Sequence, residues 1–180
     1  DPDPASRGPV AKLLATMLLA MRGTPFIYQG QEIAAINQSF AAPGQLRDIE
    51  SLNRLRAGAD WATVMAGSRD HARVPMRWDT TNNHGFSDAR PWLPAHEESV
   101  GYTVAEQDAD PASVLNHYRR LIELRRSTDA FTLGSVEFVD ERRRDHFAWY
   151  RIGTSERFLV ECNLSARRRP ARHRDAGEIV

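Results

Sequence analysis

Cysteine, lysine and net charge are what this sequence lacks most. Its 180 residues contain one cysteine and one lysine, and 24 basic side chains balance 24 acidic ones, so the formal net charge is +0. A single cysteine excludes an internal disulfide framework. A neutral chain produces no long-range field that would attract nucleic acid or an anionic membrane, and we expect neither as a partner.

Long apolar runs are also absent. No run approaches the roughly 18 to 20 residues that span a bilayer, and the opening Asp1-Pro-Asp-Pro4 does not resemble a signal peptide. We therefore expect a cytoplasmic protein with no membrane partner. Cys162 lies in the strand-like run Phe158–Leu164, where alternate residues share one face. This position predicts a small buried hydrophobe and not a reactive thiol.

The first third of the chain shows a helix pattern followed by a strand pattern. Apolar residues at helical spacing predict a helix from Pro9 to Met21, with Pro9 in its first turn and Gly23 after its end. Thr24–Tyr28 then matches a short buried strand. Polar residues Gln29 to Glu32 follow at the carboxyl end of that strand, which is the catalytic face of a parallel α/β barrel.

The rest of the chain divides near residue 130. Residues 33–110 are too long for a simple loop and contain a predicted helix at about Leu46–Arg56. A second long helix is predicted to begin with Asp110 as its cap and Pro111 in its first turn. After Phe131 the apolar period changes to two, which predicts the start of an antiparallel β domain.

Three motifs carry a family resemblance: GTPFIYQGQEI from Gly23, LRDIESLN from Leu46 and SRDHARVPMRWD from Ser68. The chain resembles, from about Ser6 to Leu164, the carboxyl-terminal part of an α-amylase-superfamily glycoside hydrolase of the oligo-1,6-glucosidase and α-glucosidase group. The resemblance implies an α/β plus β fold. Residues 1–130 would supply the last strand and helices of a (β/α)8 TIM barrel, with a long excursion at about 33–110. Residues 131–180 would begin an incomplete antiparallel β-sandwich domain.

The same resemblance implies a retaining glycosidase, in which one carboxylate attacks the sugar and a second carboxyl group protonates the leaving oxygen. It places the nucleophile Asp, the acid/base Glu and a third Asp before Asp1, so we expect no catalytic residue and no activity in the isolated chain. No cofactor is implied, and no metal site is expected within this segment. The implied ligand is a small oligosaccharide with a terminal α-linked glucose, and the oligomeric state stays open.

Three residues are the candidates for binding that sugar. The Arg that matches Arg73 in the family's loop reaches the non-reducing glucose, and a guanidinium offers a planar fork of donors to hydroxyls or to a carboxylate. Glu32 and Gln29 match polar positions after the last barrel strand. Each of the three could instead anchor its own loop. The chain departs from the family's common Gln-Gly-Glu-Glu-Ile-Gly pattern at Gln31 and Ala34, which weakens the substrate analogy at that point.

Other polar residues have structural interpretations. Asp70 and Asp79 flank Arg73, and we expect them to form structural ion pairs and not an acid/base pair. The histidines have no spacing typical of a metal site. The basic tail Arg167–Arg174 has no interleaved aromatic residues, so it predicts a solvated end and not a nucleic-acid surface.

Several alternatives remain open at this stage. Trehalose-6-phosphate hydrolase, sucrose isomerase and dextran glucosidase belong to the same group. A family relative that lost catalysis, such as the heavy subunit of an amino-acid transporter, would be supported by a membrane span and a degraded acid set upstream. An independent β-rich binding module would have to fold as a cooperative 180-residue unit without exposing a barrel-type apolar face.

Overall fold

A computed structural model describes residues 4–95, 101–139 and 143–172. Most of the Asp1–Pro4 segment and the last residues of the basic tail lie outside these ranges. The elements, in chain order, are α1 Pro4–Ala20, α2 Ile49–Arg56, α3 Trp61–Met65, α4 Val104–Ala109, α5 Val114–Ser127, α6 Asp129–Thr132, β1 Ser135–Val139, β2 His146–Ile152 and β3 Arg157–Asn163. Within this part of the chain, no helix is both long and apolar enough to cross a bilayer.

The residues form two compact units. One contains the described residues up to Gly8 together with Ile27–Asn116, and the other contains Pro9–Phe26 together with the described residues from His117 onward. In the first unit, buried Phe40, Leu46 and Leu93 form a core, and further side chains pack around it: Leu52, Leu55, Trp61, Met65 and Val74. The boundary predicted near residue 130 stays a prediction.

The second unit is built on the sheet that the period-two pattern predicted. Strands β1, β2 and β3 pair antiparallel in chain order, and Trp149 of β2 stands opposite Phe138 on one side and Val160 on the other. Because side chains alternate along a strand, this register places Phe138, Trp149 and Val160 on one face. That face packs with Ala20 and Phe131. The prediction of antiparallel strands after Phe131 is confirmed.

Cys162 lies in this core and is 1% exposed. Burial raises the pKa of its thiol to about 11, so the reactive thiolate is scarce at neutral pH. The predicted role of Cys162 as a buried hydrophobe is confirmed.

The end of α1 is held by two arginines from later in the chain. Arg125 donates through Nη1 to the carbonyls of Leu19, at 2.7 Å, and Met21, at 3.0 Å, and through Nη2 to the carbonyl of Gly23. Arg151 donates to the carbonyl of Ala20 at 2.8 Å. The last carbonyls of a helix have no hydrogen-bond donor within the helix and carry partial negative charge. A guanidinium group supplies both the missing donors and a compensating positive charge.

Two sequence predictions of secondary structure are wrong. Helix α1 begins at Pro4, which leaves Pro9 inside the helix and not in its first turn. Thr24–Tyr28 forms no strand, and the described strands pair only with one another. A strand requires a neighbour for its backbone hydrogen bonds, and none of the described residues supplies one to this segment. Its side chains are correspondingly open to solvent, with Phe26 83% and Tyr28 58% exposed.

Two helix starts also differ from prediction. Helix α2 begins at Ile49 and not near Leu46, because Asp48 caps it by accepting a hydrogen bond from the Ser51 amide. Helix α5 begins at Val114. Its first turn is closed by Ser113, whose hydroxyl accepts from the Asn116 amide at 3.1 Å, so Ser113 and not Asp110 is the cap.

Candidate functional site

The segment after Tyr28 is a tight turn that depends on left-handed backbone at two positions. Gly30 has a φ of 87° and precedes the 3-10 turn Gln31–Ile33, and Ala34 follows that turn with a φ of 54°. The carbonyl of Gly30 accepts hydrogen bonds from the amides of Ile33, at 3.2 Å, and Ala35, at 2.8 Å. A Cβ at Gly30 would lie 2.9 Å from the Cβ of Ala35, so the turn has no room for a side chain there.

Gln29 links this turn to the segment that contains Arg73. Its amide nitrogen lies 3.4 Å from the carbonyl of Ala72 and 3.5 Å from the carbonyl of Val74. Both hydrogen bonds are long, so each is weak. Together they bracket Arg73, and two of the three predicted sugar-binding residues are therefore brought together across more than 40 positions of sequence.

Arg73 is held from one side by two buried carboxylates. Its Nη1 lies 3.7 Å from Oδ1 of Asp70 and 3.9 Å from Oδ1 of Asp48, and its side chain is 36% exposed. Asp48 and Asp70 are 3% and 0% exposed. A guanidinium has five N–H donors. This arrangement therefore orients Arg73 through one nitrogen and leaves part of the fork toward solvent.

Asp48 is the centre of a hydrogen-bond network. Its Oδ1 accepts from Nη2 of Arg69 at 2.7 Å, and its Oδ2 accepts from the hydroxyl of Ser51 at 2.7 Å. The Ser51 hydroxyl has one hydrogen, which it donates to Asp48, so its oxygen accepts from the hydroxyl of Ser68 at 3.0 Å. Burial alone would raise the pKa of Asp48, but the hydrogen bonds from Ser51 and Arg69 outweigh it and lower the pKa to about 2. The carboxylate beside Arg73 is therefore charged throughout the physiological range.

Asp70 connects the Arg73 loop to the start of α2. Its Oδ2 accepts from the backbone amides of Arg47, at 2.6 Å, and Asp48, at 2.8 Å. Its Oδ1 is buried without a hydrogen bond among the described residues and faces Arg73. The structural role predicted for Asp70 agrees with these contacts. Sequence reasoning missed Asp48, although an Asp immediately before an amphipathic stretch is a helix-cap signal that could have identified it.

Glu32 lies in the 3-10 turn and is partly buried. Its Oε2 is shielded from solvent and has no hydrogen-bond partner in the described part of the chain. The described hydrogen bonds and ion pairs do not join it to Gln29 or Arg73. A buried acceptor without a donor calls for an explanation, and a ligand hydroxyl is one group that could supply the donor.

The remaining polar residues near Arg73 have local partners. His71 contacts the carbonyl of Met65 at 2.7 Å and tilts against the ring of Phe40 at 5.5 Å. Asp79 accepts from the amide and the hydroxyl of Thr81. In the ranges that the structure describes, no group of three or more His, Cys, Asp or Glu side chains is placed to hold a metal ion.

Ala34 is a strained position that glycine would relax. A left-handed conformation costs an L-residue about 1–2 kcal/mol, whereas glycine adopts it freely but loses more entropy on folding. We expect Ala34→Gly to raise the free energy of unfolding by about 0.5–1 kcal/mol in urea denaturation. Ala35→Gly is the matched control, since Ala35 is not among the residues with positive φ and should lose stability. Equal losses in both variants would show that the turn carries no strain at Ala34.

Comparison with known proteins gives one family and a consistent set of relatives. Residues 2–134 match the model of the α-amylase catalytic domain. The chain is 39% identical over 173 residues to an oligo-1,6-glucosidase of Halalkalibacterium halodurans, which covers 92% of this chain and 31% of the relative. It is 37% identical over 170 residues to the trehalose-6-phosphate hydrolase of Bacillus subtilis, covering 90% of this chain and 30% of that protein.

Solved structures agree with these relatives. A trehalulose synthase MutB variant in complex with Tris superposes with a TM-score of 0.84 at 35% identity, covering 92% of this chain and 32% of that one. An isomaltulose synthase from Klebsiella superposes with a TM-score of 0.80 at 32% identity, covering 90% and 31%. The chain thus spans about three-tenths of the length of the proteins it matches.

Proposed function

The chain belongs to the α-amylase catalytic-domain family, and from this premise we propose that it acts as part of a longer retaining α-glucosidase that cleaves terminal glucose from short oligosaccharides. The observation that carries the proposal is the 39% identity to an oligo-1,6-glucosidase over 92% of this chain. The chain's share in that function is to bind the sugar and to complete the fold. The nucleophile, the acid/base and the third acidic residue belong to other parts of the whole protein.

The proposed fold of the whole protein is supported by what this chain leaves exposed. Phe26, Ile27 and Tyr28 are 83%, 41% and 58% exposed, although three adjacent large apolar residues are normally covered. In a complete barrel, strands on either side would pair with this segment and bury these side chains. The segment would then be the last barrel strand, and Gln29, Glu32 and Arg73 would lie beyond its carboxyl end.

In the proposed site, Arg73 donates hydrogen bonds to hydroxyls of the terminal glucose. Asp48 and Asp70 fix one side of the guanidinium, so little side-chain entropy is lost when the sugar binds. Gln29 keeps the backbone on both sides of Arg73 near the turn that follows Tyr28. Glu32 accepts a hydrogen bond from a sugar hydroxyl through the carboxylate oxygen that has no donor in the described residues.

The main test is glucose release by the longer product that includes the coding sequence upstream of Asp1. We expect an Asp-Glu-Asp carboxyl set in that upstream frame and hydrolysis of isomaltose or maltose. A folded longer product with that set absent, and with no glucose release, would contradict the glucosidase proposal and favour a relative that lost catalysis.

A sucrose isomerase is the second candidate, because the trehalulose and isomaltulose synthases superpose on this chain with TM-scores of 0.84 and 0.80. Chromatography of the products formed from sucrose separates the two activities. If trehalulose or isomaltulose is the main product, the proposed activity is isomerisation and not hydrolysis. Free glucose and fructose as the main products would support the hydrolase.

Replacing Arg73 tests its proposed contact with the sugar. In the longer protein we expect Arg73→Ala to lower kcat/KM for isomaltose by about 10-fold to 100-fold, since a charge-assisted hydrogen bond to a bound ligand is lost. Arg54→Ala on the exposed surface of α2 is the control and should stay within about twofold. An Arg73→Ala protein with unchanged kcat/KM would show that Arg73 only anchors its loop.

A further inference from the structure

A cleft lies within the first unit, in the excursion at residues 33–110. Its volume is about 430 Å³, and its lining includes Arg47, Asn82, His84, Arg90 and Trp92. This volume falls in the range of small-molecule sites, and the lining combines an aromatic ring with polar donors. We infer that this cleft binds a phosphorylated sugar. The inference does not depend on the glucosidase proposal, because binding is measured without turnover.

The aromatic wall of the cleft is held rigidly by its neighbours. Trp92 is 61% exposed, while the next residue, Leu93, is 1% exposed and packs in the core with Phe40 and Leu46. Pro91 and Pro94 flank the pair, and each fixes its own φ. The Trp92 ring is therefore kept in solvent by an anchored backbone. A rigid exposed indole offers an apolar face on which the C–H face of a sugar ring can stack.

The polar wall is formed by a strained turn. Asn83 and His84 are consecutive non-glycine residues with φ of 50° and 55°, a conformation that costs about 1–3 kcal/mol at each such residue. The turn persists because the Asn83 side chain donates to the carbonyls of Ser87, at 2.8 Å, and Ala89, at 3.2 Å. This turn places Asn82 and His84 on the lining. Strain of this kind is concentrated where side chains must be aimed at a ligand.

The charged side chains that line the cleft indicate which class of sugar it binds. The lining residues include two arginines and a histidine, and none of those in the described ranges is an Asp or Glu. Arg90 makes no hydrogen bond or ion pair within the described residues. Arg47 uses Nη1 for the carbonyls of Gly44 and Leu46, which leaves its other donors available. The side-chain amides of Asn82 and Asn83 offer hydrogen bonds to sugar hydroxyls, and a phosphate group takes guanidinium donors bidentately.

Calorimetric titration of the chain with glucose 6-phosphate, glucose and inorganic phosphate tests the inference. We expect glucose 6-phosphate to bind at least about tenfold more tightly than either of the other two, because only this ligand engages both the Trp92 ring and the arginines. We expect Trp92→Ala and Arg90→Gln each to weaken that binding by about fivefold to tenfold. Both side chains are exposed, so neither change should impair folding.

Matched controls exist for both variants. Trp78 is 50% exposed and Arg54 is exposed, and neither lines the cleft, so Trp78→Ala and Arg54→Gln should change the affinity by less than about twofold.

Glucose 6-phosphate binding no tighter than inorganic phosphate would overturn the inference in favour of a simple anion patch. Equal binding of glucose would overturn it in favour of a neutral-sugar site. If glucose 6-phosphate binding does not saturate up to about 10 mM ligand, the affinity is weaker than millimolar and the inference is also overturned.

Discussion

Arg151→Ala is expected to destabilise the second unit by about 3–5 kcal/mol. Arg151 is 0% exposed and donates to three backbone carbonyls: Ala20 at 2.8 Å, Phe131 at 3.1 Å and Gly134 at 3.2 Å. Truncation to Ala removes all three hydrogen bonds and leaves the Ala20 carbonyl with only the long bond, 3.4 Å, from the Trp149 indole nitrogen. It also opens a cavity beside the Phe131 ring, which lies 5.6 Å from the guanidinium carbon.

The charge of Arg151 makes this position unusual. Burial lowers the pKa of its guanidinium, and the positive charges of Arg125 and Arg22 lower it further. In the described ranges no carboxylate forms an ion pair with it. What stabilises the charge is the set of carbonyl dipoles, including that of Ala20 at the negative end of α1.

Urea denaturation monitored by far-UV circular dichroism and by tryptophan fluorescence, to which buried Trp149 contributes, would measure the loss. Arg151→Met separates the contribution of the hydrogen bonds from that of packing, because methionine keeps aliphatic volume but has no donor. This variant should lose about 2–3 kcal/mol of stability. Arg157→Ala is the control on the same sheet. Arg157 is exposed and stacks 3.4 Å from the Tyr150 ring, so its loss should cost about 0.5–1 kcal/mol. Similar small losses for Arg151 and Arg157 would contradict the role assigned to Arg151.

Asp70→Ala is expected to destabilise the first unit by about 3–4 kcal/mol. The substitution leaves the amides of Arg47 and Asp48 without their acceptor and removes one of the two carboxylates that face Arg73. Asp70→Asn keeps one acceptor oxygen but loses the charge, so we expect an intermediate loss of about 2 kcal/mol. Asp88→Ala, at an exposed position, should stay within about 0.5 kcal/mol.

Amide hydrogen exchange gives the sharpest measurement for Asp70. Protection at the Arg47 and Asp48 amides, which precede α2, should fall in Asp70→Ala more than protection within α2. A double-mutant cycle with Arg73→Ala reports the coupling between the two side chains, and a value near zero would show that the 3.7 Å approach contributes no energy. Unchanged protection at both amides would refute the anchoring role of Asp70.

The predictions that succeeded depended on local periodicity. Alternating apolar residues after Phe131 predicted β2 and β3, because side chains on a strand alternate faces wherever the strand lies. The predicted strand Thr24–Tyr28 failed for the opposite reason, since a parallel strand acquires its hydrogen bonds only from neighbours elsewhere in a sheet. The cap of α5 was misassigned because Asp110 uses its carboxylate within its own turn, accepting from the amide of Ala112 at 2.8 Å.

The candidate site shows the same division. Arg73, Gln29 and Glu32 were identified from motifs, and their proposed contacts with sugar stay predictions. Nothing in the sequence indicated that Asp48 and Asp70 would both approach one nitrogen of Arg73, because Asp48 lies 25 positions away. Distances between residues so far apart are set by the packing of α2 and the loops around it.

The sequence by itself determined the family, the antiparallel strands and the burial of Cys162, because motifs, periodicity and composition act over short stretches of chain. Only the tertiary structure decided that Arg151 and Arg125 close the end of α1, that Asp70 joins the Arg73 loop to α2, and that Trp92 and the turn at His84 line one cleft. Each of these features is a contact between residues distant in sequence. Buried polar groups require hydrogen-bond partners, and which residues lie close enough to serve depends on how the whole chain packs.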